Sequence, residues 1–160
     1  MANIKKFIED GGIVFVAGGP TTNTATQLGL PVSNHLAGIG SDKFYVPGSV
    51  LRTKVDPNDW VAWGMDADLD IMFNNSATYK IPDGDAAKGL KKVAWFDGKT
   101  PLRSGWAWGQ ENLDGGVAVA TAQVGKGHIV LCGPQVLFRG EPDGTFKFLF
   151  NSIVQSGLKE

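Results

Sequence analysis

Ile13-Val14-Phe15-Val16-Ala17 is the segment that most restricts what this chain can fold into. It is an unbroken apolar run, rich in β-branched residues, between Gly11-Gly12 and Gly18-Gly19-Pro20. The run is too short for a helix, and it leaves no polar face for solvent. It therefore reads as a central strand buried on both faces. The preceding stretch, Asn3 to Asp10, predicts a short helix with Asn3 as N-cap, Ile4, Phe7 and Ile8 on one face, and Gly11-Gly12 as its stop. A helix leading into a buried strand is the second half of a βαβ unit, so a sheet of this kind is expected to have its first strand upstream of Met1.

The 22 glycines among 160 residues, roughly twice the usual share, cut the remainder into short elements. Thr21 to Leu28 predicts a short helix and Pro31 to Pro47 a loop. Ser49 to Val55, Leu69 to Phe73 and Lys92 to Phe96 predict strands, with a turn at Asp56-Pro57-Asn58-Asp59. Val117 to Ala122 and His128 to Cys132 flank Val124-Gly125-Lys126-Gly127, the strongest hairpin signal in the chain. From Thr145 to Gln155, Phe146, Leu149, Phe150, Ile153 and Val154 recur at helical spacing and form one apolar face, expected to pack on the sheet, with Gly157 as terminator. No repeat or linker interrupts residues 1–160, which read as one domain. The expected class is α/β: parallel central strands, an antiparallel hairpin over 117–132 and a C-terminal helix on the sheet.

Composition removes several function classes. Fifteen Lys+Arg against sixteen Asp+Glu give a net charge of −1, which lacks the basic footprint of a nucleic-acid binder. No apolar stretch has the length of a membrane span or the layout of a signal peptide. One cysteine allows no internal disulfide framework, and His35 and His128 lie too far apart in sequence for the usual clustered zinc set, so no metal or other cofactor is assigned to this chain. Gly125-Lys126-Gly127 lacks the Ser or Thr of a phosphate loop, and Gly38-Ile39-Gly40 lacks the third glycine of a dinucleotide fingerprint.

Four features remain to be weighed. Cys132 is the one possible thiol nucleophile, but Val130 and Pro134 stand where a nucleophile elbow needs small residues, so a core cysteine is the favoured reading over a cysteine hydrolase. His128 beside the turn reads as a strand-edge surface residue. In Ser104-Gly105-Trp106-Ala107-Trp108-Gly109, period-two alternation puts both indoles on one side of an extended segment. Gly133 to Gly140 would lie at the carboxyl ends of the strands, where open α/β sheets bind ligands. Trp106, Trp108, Gln135 and Arg139 are then a candidate glycan or peptide pocket, with Arg139 suited to a carboxylate or phosphate.

Two resemblances follow. Gly11 to Gly19 behind a short helix resembles the helix, Gly-Gly, strand step of class I glutamine amidotransferase-like domains. Phe44 to Arg52, Ala62-Trp63-Gly64-Met65, Ser104-Gly105-Trp106, Gly125 to Leu131, Phe138-Arg139-Gly140, Gly144 to Lys147 and Leu149-Phe150-Asn151 resemble, in that order, the C-terminal domain of bacterial M14-type zinc carboxypeptidases. The resemblance implies a three-layer, flavodoxin-like accessory domain attached to an upstream peptidase domain. Zinc would sit in that catalytic domain, the parent protein would be periplasmic or secreted, and this chain would do no chemistry itself. Val130 stands where an amidotransferase His-x-Glu pair would need glutamate. If the first strand lies upstream, an exposed sheet edge is expected, and with it self-association of the chain.

Overall fold

In the computed structural model, which describes residues 1–158, nearly all expected elements form. The helices are α1 (Ala2–Glu9), α2 (Thr21–Gln27) and α3 (Phe146–Gly157). The strands are β1 (Ile13–Ala17), β2 (Ser33–Asn34), β3 (Pro47–Val55), β4 (Asp68–Asn74), β5 (Tyr79–Lys80), β6 (Leu90–Trp95), β7 (Leu102–Ser104), β8 (Val117–Val124) and β9 (Gly127–Cys132). They make one open mixed sheet in the order β1-β9-β8-β6-β3-β4. In addition β7 pairs with β3, and the short β2–β5 ladder joins β8.

Two expectations about this sheet need correction. Parallel pairing is confined to β1 and β9 among the described strands, and all other pairs are antiparallel. Moreover, β1 is not central but terminal, and among the described strands it pairs with β9 alone. The reason its sequence reads as central is visible in the packing. Val14 and Val16 lie against the core cluster that holds Ile8, Ala25, Ile129 and Leu131, while Phe15 lies against the cluster that holds Phe73, Val130 and Phe148. Apolar cover on both faces demands an apolar run, whatever stands beside the strand. The hairpin forms as expected, with Val124 opposite Gly127 across the Gly125-Lys126 turn.

β9 alternates between the same two clusters. Ile129 and Leu131 point to the face of α1 and α2; Val130 and Cys132 point to the face of α3. The C-terminal helix is therefore on the sheet, but rotated from the expected orientation. Phe148 and Ser152 are buried, whereas Phe150, Ile153 and Val154 are more than half exposed. Polar ties set that rotation. The Asn151 side-chain amide donates to the carbonyls of Val61 and Trp63, each at 3.0 Å. The Lys147 ammonium donates to the Gly64 carbonyl, and the Thr145 hydroxyl to that of Val136 at 2.5 Å. Those bonds hold the Thr145–Phe148–Ser152 side inward, so that Phe150, Ile153 and Val154 of the apolar stripe turn out while Phe146 and Leu149 stay half-buried.

Candidate functional site: an exposed aromatic platform

Alternation puts Trp106 and Trp108 on one side of an extended segment, and the structure adds Tyr45 to them. The Tyr45 and Trp108 backbones form an antiparallel bridge, each N–H donating to the other's carbonyl at 3.0 Å. Directly opposed residues share a face. The Tyr45 ring also meets Trp106 edge-on, centroids 6.1 Å apart. All three rings face solvent: Tyr45 is 43% exposed, and Trp106 and Trp108 are 54% exposed.

The backbone beneath these rings is tightly held. Trp106 N–H donates to Ser49 Oγ at 2.9 Å, and the Ser49 hydroxyl donates back to the Trp106 carbonyl at 2.5 Å. Trp108 Nε1 donates to the Asp42 carbonyl at 3.0 Å. Two glycines make this close approach possible. At Gly105, with φ +93°, a Cβ would lie 2.6 Å from Ser49 Oγ; at Gly109, with φ +70°, it would run into the Lys43 carbonyl. Large apolar rings are thus held in water on fixed backbone, where side-chain burial does not account for them.

Concave surface lies on both sides of the platform. A hollow of about 560 Å³ beside Trp108 is lined by Asp42, Lys43, Glu111 and Asn112. A groove of about 730 Å³ runs from Tyr45 past Phe44 and Asn75 to Gly19 and Thr22, at the carboxyl end of β1. Aromatic faces with carboxylate, ammonium and amide groups alongside suit a sugar ring or an extended peptide. Sequence reasoning missed Tyr45 because it lies within Pro31–Pro47, read as loop, and its pairing with Trp108 spans a long stretch of chain.

Gln135 and Arg139 do not join this platform, a correction to the four-residue pocket. Ser104 of β7 stands opposite Val50 of β3, Val50 stands opposite Met72 of β4, and the Gln135 N–H donates to the Met72 carbonyl. Three interstrand spacings, on the order of 14 Å of backbone, therefore separate Gln135 from β7. Arg139 is exposed, with its guanidinium 5.1 Å from the Phe138 ring centroid.

Cys132 is fully buried at the end of β9, its thiol 3.6 Å from the Pro134 carbonyl, and burial pushes its pKa up. A nucleophile needs access and thiolate character, and this thiol has neither. His128 is half-buried within the sheet rather than at a strand edge, because β1 pairs on its far side; its ring lies 5.5 Å from that of Trp60. Among the described residues no cluster of three or more His, Cys, Asp or Glu has the geometry to hold a metal ion. No described helix is long and apolar enough to cross a membrane.

No protein-family model matches the chain, and no curated protein matches it. Among solved structures, it is similar to the crystal structure of beta-galactosidase from Bacillus circulans sp. alkalophilus, with a TM-score of 0.53 and 12% sequence identity. The match covers 99% of this chain and 21% of that one, so the chain spans about a fifth of its neighbour's length. At that identity the likeness concerns the fold alone.

Proposed function

We propose that this chain is a non-catalytic accessory domain of a zinc carboxypeptidase-like metallopeptidase, and that it holds a glycan or peptide on the Tyr45–Trp106–Trp108 platform. The carrying observation is the contrast between three aromatic rings fixed in solvent and a sole thiol sealed in the core. The link to a peptidase rests on the ordered sequence resemblance. It extends the reading to a three-layer, amidotransferase-like plan, an upstream peptidase domain as partner, zinc in that domain, and an exported parent protein. The neighbouring domain does the chemistry, and this one positions the chain to be cut.

Tryptophan fluorescence titrated with peptidoglycan fragments, oligosaccharides and short peptides is the direct test. One of these classes is expected to give a saturable change. Trp106→Ala and Trp108→Ala are each expected to weaken it by roughly five- to tenfold, the worth of one aromatic stacking contact. A flat response across all three classes sinks the binding role. A gene that encodes no His-x-x-Glu zinc motif upstream of this segment sinks the peptidase link.

A further inference from the structure

The terminal strand β1 and the outward face of α3 form a second surface. Gly12 C=O accepts from His128 N–H at 3.1 Å and Gly18 N–H donates to Cys132 C=O at 2.8 Å, so both residues face β9. Backbone groups alternate along a strand, so the N–H and C=O groups of Ile13, Phe15 and Ala17 point away from β9. Among the described residues no strand receives them. Natural sheet edges are usually protected by charge, proline or a bulge, and β1 has none of these.

Apolar side chains border that edge on both faces. Phe15 and Ala17 line one hollow with Leu137 and Leu149, and Ile13 lines another with Phe7, Ser156 and the charged Asp10 and Lys126. Leu149 and Ser156 thus set α3 antiparallel to β1, and Ile153, one turn from each, lies between them along the edge. Ile4, Phe7, Leu137, Phe150, Ile153 and Val154 are each 43–57% exposed. Together they leave on the order of 600 Å² per copy, before the strand itself is counted, against about 800 Å² per partner in a standard stable interface.

We propose that two copies of this chain associate through β1, antiparallel across a two-fold axis at Phe15, to make one continuous sheet with α3 packed on α3. The strand is self-complementary in this arrangement. Phe15 meets Phe15 and Ile13 meets Ala17 of the second copy, and these are the residues whose backbone groups point outward. Each pair exchanges both hydrogen bonds of an antiparallel ladder. A two-fold axis normal to the sheet keeps faces matched, so the Val14 and Val16 side chains stay on the α1 side and the apolar stripe of α3 meets its own copy. No charge on β1 is brought against its like.

Sedimentation of the full chain from micromolar to millimolar concentration tests this, with hydrogen exchange of the Phe15 amide as the local readout. The expected mass is twice 17.0 kDa, with slow Phe15 exchange in the dimer. Ile153→Glu charges an exposed helix position, and Ala17→Pro removes an outward N–H that β9 does not use. Both variants are expected to sediment as monomers with fast Phe15 exchange and an unchanged circular dichroism spectrum. A dimer that survives both substitutions overturns the proposal, as does an open series of larger masses. A wild-type monomer with fast Phe15 exchange also overturns it and leaves the edge to a strand from another chain. If either variant loses its spectrum, Val154→Lys, at another exposed helix position, decides the matter.

Discussion

The two borders of the sheet solve the same problem in opposite ways. β4, at one end, carries Asp68 and Asp70 on one face, paired with Lys54 at 2.8 Å and Arg52 at 2.5 Å, with Arg103 at 3.6 Å. Its backbone edge is further occupied where the Gln135 N–H meets the Met72 carbonyl. β1, at the other end, has no charge, and exposed apolar side chains flank it. Charge beside β4 discourages a second copy, since like would meet like; β1 has no such guard. The contrast argues that the open edge is a feature of β1 and not a general looseness of the sheet.

The largest effect should come from erasing the contrast. Asp68→Val with Asp70→Val gives β4 the apolar chemistry of β1. Two adhesive edges per copy generate open chains rather than closed pairs, so light scattering should report masses well beyond a dimer. Unchanged scattering would mean that charge is not what guards β4.

A smaller effect is expected at the platform. Gly109→Ala forces a Cβ into the Lys43 carbonyl at a φ of +70°. A destabilisation of about 1–3 kcal/mol in urea unfolding should follow, the usual range for such strain. The Tyr45–Trp108 bridge should loosen and the ligand-dependent fluorescence change shrink, while the dimer mass stays the same. A change in association would show that the two ends are coupled.

The smallest effect should be acid sensitivity confined to the charged end. Lys54 beside Asp68 holds that carboxyl below its ordinary value of 3.8. A carboxyl depressed by folding contributes stability above its unfolded pKa and loses it as pH falls through the folded value. As pH falls from about 5 through that depressed value, β4 amides should therefore exchange faster relative to β1 amides. Ile13–Ala17 has no titratable side chain to respond. Equal acceleration at both borders would count against a local cause.

Much of the platform was legible as residues and little of it as a site. Trp106 and Trp108 stand out because alternation is a local rule. Tyr45 does not, because its role comes from a backbone bridge to Trp108 that no local pattern announces. Gln135 looked like a neighbour because it follows a strand end, yet β3 and β4 stand between it and β7. The buried reading of Cys132 was available from Val130 and Pro134 beside it, since an apolar strand with a bulky flank is a core environment.

Sequence alone determined the local elements: the helix before Gly11-Gly12, the apolar β1, the Gly125-Lys126 hairpin and the periodic α3. These follow from propensity, turn chemistry and the number of covered faces, all encoded over a few residues. Long-range packing sets β1 at the border, makes its pairing with β9 the sole parallel one among the described strands, and turns Phe150, Ile153 and Val154 of α3 outward. Periodicity reports which side chains share a face. It does not report what that face meets; here Asn151, Lys147 and Thr145, through their bonds to distant carbonyls, chose the other side.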